Sequence, residues 1–268
     1  MFFTLLRQWL LTPVTHYRLF HNFTRQDFFA QFTASIGGWL WLFLTPVMHI
    51  IIYAFVFSYV FQVRAPEEFG QTHFVVFMMI GYLPWFAFAE ALSKSTGLLL
   101  EKAPLITKVM FPVQVLPVVG TAVPYLTHAI GFGLLLGYLA TQGLFSAAWL
   151  LIPVIFALQF LFTMGLVALL SALCVFLRDL QQIVLLSVTI WFFLTPVIYP
   201  ISMIQDEGIR GLFLINPMHS FINLYREIVL LGEVSLTHLS IIVPTALVSY
   251  CIGGWLFMRI RHAFGDVL

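Results

Sequence analysis

Few residue types in this chain are equipped for chemistry, and their spacing excludes most reactions. A phosphate-binding P-loop needs Gly directly before Lys, yet Lys94, Lys102 and Lys108 follow Ser, Glu and Thr. There is no His-Glu-x-x-His helix and no paired-cysteine motif. Cys174 and Cys251 lie far apart and read as small buried hydrophobes. The eight histidines form no cluster at one depth, and His49 and His128 read as rings satisfied by neighbouring helices. The carboxylates Glu90 and Asp179 fall at the ends of apolar stretches, so a proton relay through a buried acid is not expected, and neither is a catalytic residue or a metal site. What remains is a pattern of rings and prolines. Trp191, Thr195 and Tyr199 recur at four-residue spacing, which predicts one face of a helix. Pro196 and Pro200 break that helix, and Asn216-Pro217 cuts a later apolar stretch in two.

The elements that must carry these residues follow from the scarcity of charge. Of 268 residues, 12 are Lys or Arg and 11 are Asp or Glu, and the apolar set reaches 61%. A soluble globule carries roughly 25% charged residues; at 9% this chain cannot clothe a wet surface. A net charge of +1 gives no basic field for nucleic acid. Five stretches lack any charge: Phe28–Val63, Phe69–Ala89, Val109–Leu177, Leu180–Gln205 and Val234–Met258. About 20 apolar residues cross a hydrocarbon core, so four of these hold one helix each. The third is long enough for two, folded back at Ala140–Ser146. The expectation is an all-α integral membrane fold, one transmembrane domain over residues 1–268 with six spans near 36–61, 74–91, 113–139, 147–176, 183–199 and 239–258.

The connections carry further signals. Residues 1–30 read as an arm with a short helix in the membrane interface, its Phe2, Leu5, Leu6, Trp9 and Leu10 opposite Arg7 and Gln8. Residues 90–110 mix Lys94, Glu101, Lys102 and Lys108 with leucines, and Pro104 splits them; such an amphipathic elbow presents a short helix to a soluble partner or lies on anionic lipid. Residues 200–233 read as two short helices dipping into the outer leaflet, a re-entrant hairpin capping a path across the membrane. Nine basic residues (Arg7, Arg18, Arg25, Lys94, Lys102, Lys108, Arg178, Arg259 and Arg261) fall on one side, against Arg64, Arg210 and Arg226 on the other. The imbalance places both termini in the cytoplasm.

Four segments together resemble the membrane subunit of type-2 ABC exporters, specifically the permeases for bacterial cell-surface polysaccharides (O-antigen, capsule and teichoic acid). They are Ser35-Ile-Gly-Gly-Trp-Leu-Trp41 with Pro46, then Leu83-Pro-Trp-Phe-Ala-Phe88 with Leu105-Ile-Thr-Lys-Val-Met-Phe-Pro112 and Leu116-Pro117. Phe176-Leu-Arg-Asp-Leu180 with Phe193-Leu-Thr-Pro-Val-Ile-Tyr-Pro200, and Asn216-Pro-Met218 with Tyr225-Arg-Glu227, complete the set. The chain departs from the family at Gln31-Phe32, where Arg-Tyr is usual, and at Val113-Gln114, where Arg-Glu is frequent.

The resemblance implies an ABC-2 type fold in the bacterial plasma (inner) membrane, a homodimer, and two nucleotide-binding ATPase subunits docked beneath it. ATP and Mg would be bound by those partners, with no cofactor in this chain. The cargo would be a lipid-linked glycan moving outward through membrane lipid. Glu101, Lys102, Pro104, Ile106 and Lys108 would form the helix that receives the ATPase motion. Aromatic faces stack on sugar rings, so Trp191, Thr195 and Tyr199, with Trp39 and Tyr53 on the first span, are the expected channel lining. Pro196, Pro200, Asn216 and Pro217 would form the outer gate. Arg178 and Asp179 would mark a cytoplasmic junction, as an ion pair or an ATPase contact. The competing functions are an exporter of a small lipid or drug on the same fold, an intramembrane enzyme, and a passive channel.

Overall fold

The computed structural model describes residues 2–33, 37–62, 66, 69, 73–109, 111–204 and 206–268. Ser35, Ile36, Val63, Arg64, Met110 and Gln205, used above for boundaries, motifs and charge counting, lie outside the described residues. Every regular element among the described residues is helical.

The arm folds as α1 (Phe2–Thr15) and α2 (Tyr17–Thr33), joined through a turn at His16. Trp9 is fully buried, its ring 5.7 Å from Tyr250 and 5.9 Å from Phe257. Only a glycine at position 254 leaves room for that indole, so α1 is seated on the last long helix. Helix α3 (Leu40–Tyr53) runs on as a π-helical stretch, Ala54–Val60. It is mostly apolar but buries little within the chain: Leu40, Ile51, Phe55 and Tyr59 are all exposed.

Helix α4 (Phe74–Glu101) is the centre of the molecule, packing on α6 (Val115–Thr141), α7 (Ile152–Phe176), α8 (Leu180–Phe193) and α10 (Pro217–Arg226). It continues ten residues beyond the expected end at Ala91. The added segment, Leu92–Glu101, holds no proline, and Lys94 pairs with Glu90 one turn earlier at 2.6 Å. The helix stops at Lys102, because Pro104 begins the first turn of α5 (Ala103–Lys108). The elbow expected over residues 90–110 is therefore one bend and a six-residue helix. Glu90, placed above at a span end, stands in the middle of α4.

The long uncharged run turns back after α6 at Gly143, whose φ of +81° is a left-handed conformation that glycine adopts freely. Ser146 then caps the following 3-10 turn, Ala147–Leu151, which leads into α7. α7 and α11 (Leu236–Ile260) touch backbone to backbone where Gly165 meets Gly253 and the Ser249 carbonyl. Small residues permit this close approach, as in membrane helix pairs generally.

Helix α8 has fourteen residues and ends at Phe193, six short of the expected Tyr199. The residue before a proline is disfavoured in α conformation, and Pro196 offers no N–H to prolong the ladder. Thr195 and Tyr199 thus lie beyond the helix rather than on one face of it with Trp191. The following α9 (Glu207–Ile215) is capped by Asp206, and α10 by Asn216. Asn216-Pro217 is the corner between them, and α12 (Phe264–Val267) closes the chain. Among the described residues, five helical stretches are long and apolar enough to cross a membrane: Leu40–Phe57, Phe74–Glu101, Val115–Thr141, Ala147–Phe176 and Leu236–Val267, with α8 a shorter apolar sixth.

Candidate functional site

A cavity of about 700 Å³ opens between the end of α2 and helices α3, α4, α6 and α8. Rings make its wall. Tyr82 and Phe86, one turn apart on α4, stack at 4.1 Å, and the His49 ring stands 5.8 Å from Tyr82 and 6.0 Å from Phe86. Trp41 and Phe32 line it from the neighbouring helices. The polar groups are Gln31, Thr45, Glu90, Ser93, Thr127 and His128. Gln31 Nε2 donates to Thr127 Oγ1 at 3.2 Å, tying α2 to α6. His128 Nε2 lies 2.9 Å from Glu90 Oε2, while Lys94 holds Oε1 at 2.6 Å. A carboxylate only accepts, so the imidazole carries its proton on Nε2; Nδ1 is buried with no hydrogen-bond partner among the described residues. The site therefore combines flat apolar faces with a fixed acid–imidazole pair and several amide or hydroxyl groups.

Behind it lies a buried polar knot. Gln159 of α7 is fully buried; its Nε2 donates to the Pro84 carbonyl at 2.8 Å and its Oε1 accepts from the Tyr225 hydroxyl at 2.9 Å. The Tyr125 hydroxyl shares a 2.6 Å hydrogen bond with Thr163 and donates to the Gln159 carbonyl at 3.1 Å. Four helices are thereby fixed at one level, since buried polar groups are costly unless paired.

The broken end of α8 is held by two residues. Asn216 Oδ1 accepts from Trp191 Nε1 at 2.9 Å and caps α10 through the Met218 N–H. Its amide donates to Thr195 Oγ1 at 2.8 Å and to the Leu194 carbonyl at 3.3 Å. Arg226, 1% exposed, donates to the Pro196 carbonyl at 2.9 Å, the Val197 carbonyl at 2.7 Å and the Phe77 carbonyl at 3.2 Å. The Pro196 and Val197 carbonyls are backbone groups that the break after α8 leaves without helical partners, while the Phe77 carbonyl belongs to α4. In the α9–α10 corner His219 is also buried. It accepts from Asn223 Nδ2 at 3.0 Å and lies 5.9 Å from the His238 ring. Burial, then His238 and Arg226, lower its pKa to about 4.

The residues singled out in the sequence distribute as follows. Trp191, Asn216 and Pro217 line a second, apolar cavity of about 410 Å³ under α9, with Leu194, Ile209 and Phe213. Thr195 and Pro196 are buried beside it, and the Tyr199 hydroxyl donates to the Phe193 carbonyl at 2.7 Å. Pro200 begins the 3-10 turn Ile201–Met203. Trp39 lies outside the cavity walled by Tyr82 and Phe86, stacked on Phe32 at 5.0 Å, and it is Trp41 that faces in. Tyr53 packs behind the wall, 5.5 Å from Tyr82. Glu101 ends α4, while Pro104, Ile106 and Lys108 belong to α5. Ile106 and Lys108 border a groove of about 780 Å³ shared with His16, Leu19 and Phe111. Lys102 at the bend pairs with Asp27 of α2 at 3.1 Å. Arg178 and Asp179 form the exposed turn between α7 and α8, without an ion pair among the described residues.

Sequence reasoning missed Glu90 as a mid-helix group, the ring wall of Tyr82 and Phe86, the Gln159 knot and the Arg226 clamp. One signal was available: Glu90 and His128 are polar residues inside otherwise apolar helical periods. No group of three metal-ligating side chains is found among the described residues.

Comparison with known proteins supplies the context for this arrangement. Residues 19–230 match the family described as ABC-2 type transporter. The chain is 36% identical over 226 residues to the O-antigen export system permease protein RfbA of Myxococcus xanthus, covering 82% of this chain and 83% of that one. It is 28% identical over 247 residues to a protein of the same name from Klebsiella pneumoniae, covering 91% and 93%. A sparsely charged multi-helix body, a break after α8 and an elbow before α6 all sit within the matched region, and this multi-pass membrane protein belongs to the ABC-2 type transporter family.

Proposed function

We propose that this chain is the permease subunit of an ATP-driven exporter that moves a lipid-linked cell-surface polysaccharide of the O-antigen kind from the cytoplasmic to the outer side of the bacterial plasma membrane. The observation that carries the reading is the cavity walled by Tyr82, Phe86 and Trp41. Rings offer flat faces to sugar C–H groups, while side-chain amides and hydroxyls exchange hydrogen bonds with successive residues of a sliding chain. The relatives named as O-antigen export permeases point to the same cargo.

In this reading both termini are cytoplasmic and the permease pairs as a homodimer through surfaces that include the exposed α3. Two ATPase subunits beneath it bind ATP and Mg. Nucleotide shifts the permease between states because it binds the closed ATPase pair more tightly than the open one. Helix α5 receives that motion at its exposed edge. The Lys102–Asp27 pair passes it to α2, which reaches the cavity through Gln31 and Phe32. The Asn216-Pro217 corner, bound to the end of α8, closes the opposite mouth.

The test is copurification of the tagged chain with candidate ATPases, followed by deletion of its gene. A stable complex and loss of surface polysaccharide are expected. An intact surface glycan with loss of efflux of a small lipid or drug would replace the cargo in this proposal, and vigorous transport by the isolated chain in vesicles would remove the ATPase from it.

A further inference from the structure

The second cavity, about 410 Å³ under α9, asks for no polar group. Its two hydrogen-bonding side chains satisfy each other: Trp191 Nε1 donates to Asn216 Oδ1 at 2.9 Å, and the Asn216 amide turns to Thr195 and the Leu194 carbonyl. Ile209 and Phe213, one turn apart on α9, line it, while Asp206 and Glu207 at the start of that helix are exposed. Such a helix lies in a membrane interface with its apolar face inward. Leu194 and Ile215 line the same cavity and are exposed, so its apolar surface runs out onto the flank of the protein. The volume is at the small end for ligand sites, and it suits a length of one hydrocarbon chain. A bilayer lipid gains little there, because its tails already lie among apolar neighbours. A tail whose other end is held nearby gains more, since it arrives at a high effective concentration. The ring-walled cavity is near enough to hold that other end. Phe192, next to Trp191 on α8, stands 6.0 Å from Phe86, and Val188 one turn earlier lines the larger cavity. The end of α8 is thus a partition between the two.

We propose that the pocket under α9 holds the hydrocarbon tail of the lipid-linked cargo while its first sugars occupy the ring-walled cavity across α8. The inference rests on that cavity being the glycan path and adds the place of the lipid anchor. Asn216 and Pro217 are walls of the pocket and also form the corner at the outer mouth, so a seated tail packs against the gate itself.

The test uses the full-length protein in lipid nanodiscs and two probes with a diazirine at the tail tip, a mannosyl polyprenyl phosphate and a phosphatidylglycerol. Labelled peptides are read by mass spectrometry. The glycolipid is expected to label the segments around Trp191 and Phe213 at least about tenfold more than the phospholipid does. Ile209→Trp fills the pocket from a half-exposed position, so it should melt normally yet remove most of that labelling. Leu194→Trp, also exposed, takes its place if Ile209→Trp does not fold. Trp41→Ala, in the larger cavity, should weaken the labelling as well by releasing the sugar end. Equal labelling by both probes makes the pocket an ordinary lipid site and overturns the proposal. Labelling unchanged by a filled pocket or by Trp41→Ala overturns it too, and so does the absence of labelling by either probe, which means that another protein surface covers the pocket. These outcomes leave the export reading standing where deletion of the gene strips the surface glycan. A glycan that survives deletion removes that reading, and this inference with it.

Discussion

The guanidinium of Arg226 lies 3.7 Å from the centroid of the Phe77 ring. In that position its N–H groups reach the carbonyls of Pro196 and Val197, so one cation on α10 completes the backbone of another segment's broken end. Gly81 makes the space: a Cβ there would stand 2.8 Å from Arg226 Nη2. Arg226→Met should cost about 3 kcal/mol or more, because the buried carbonyls lose their donors. Arg226→Lys should recover little, lacking the planar fork, and Gly81→Ala should destabilise as well. Thermal unfolding in detergent checks all three; a Tm within a degree of the unmutated protein for Arg226→Met would contradict the clamp.

Asn216 uses both ends of its amide, so Asn216→Asp separates them. The variant keeps the acceptor for Trp191 and the α10 cap but loses the donors to Thr195 and Leu194. A loss of about 1–2 kcal/mol is expected, with weaker surface glycan output in cells. Asn216→Ala should cost more, since Trp191 Nε1 is then also unpaired.

His219 predicts a pH response of definite sign. Its pKa falls from 6.5 to about 4 in the folded chain, through burial first and then His238 and Arg226. The unfolded chain takes up the proton sooner, so stability holds above pH 6.5 and declines as the pH drops from there toward 4. The slope is at most about 1.4 kcal/mol per pH unit for one group. Phe213, Asn223 and the His238 ring are its immediate neighbours. Melting curves taken across this range should show the decline, and His219→Gln should flatten it.

How much of this was legible beforehand varies with the kind of interaction. The breaks at Gly143 and Asn216-Pro217 are written in local chemistry, a glycine free to turn left-handed and a proline preceded by a capping side chain. The helical class is equally local, carried by uncharged runs of spanning length. The end of α8 was misjudged because four-residue spacing outweighed the proline that forbids its continuation. Glu90 was misplaced because the next acidic and basic residues looked like the start of a loop, whereas an i,i+4 pair with Lys94 extends the helix. Gln159 and Arg226 find their partners on other helices, 75 and 149 residues away, and no periodicity within one segment announces such pairings.

The Lys102–Asp27 bond gives a prediction about transmission rather than stability. Both side chains are partly exposed, at 29% and 27%, so breaking the pair should cost under about 1 kcal/mol. Asp27→Asn should therefore melt normally, yet lower the export achieved per ATP consumed by the reconstituted complex. The exchange Asp27→Lys with Lys102→Asp should restore part of it, and equal coupling in all three proteins would exclude α2 as the relay.

The shortness of α8 has a consequence for the lipid around it. Fourteen residues rise about 21 Å, against a hydrocarbon thickness of about 30 Å. The membrane flanking that helix must pinch inward to meet its ends, or leave the Arg226-bound carbonyls sheltered only by protein. A pinched spot is where an amphiphile tethered by an acyl tail has the least oily distance to travel, so the stunted helix would mark the shallowest ford across the bilayer.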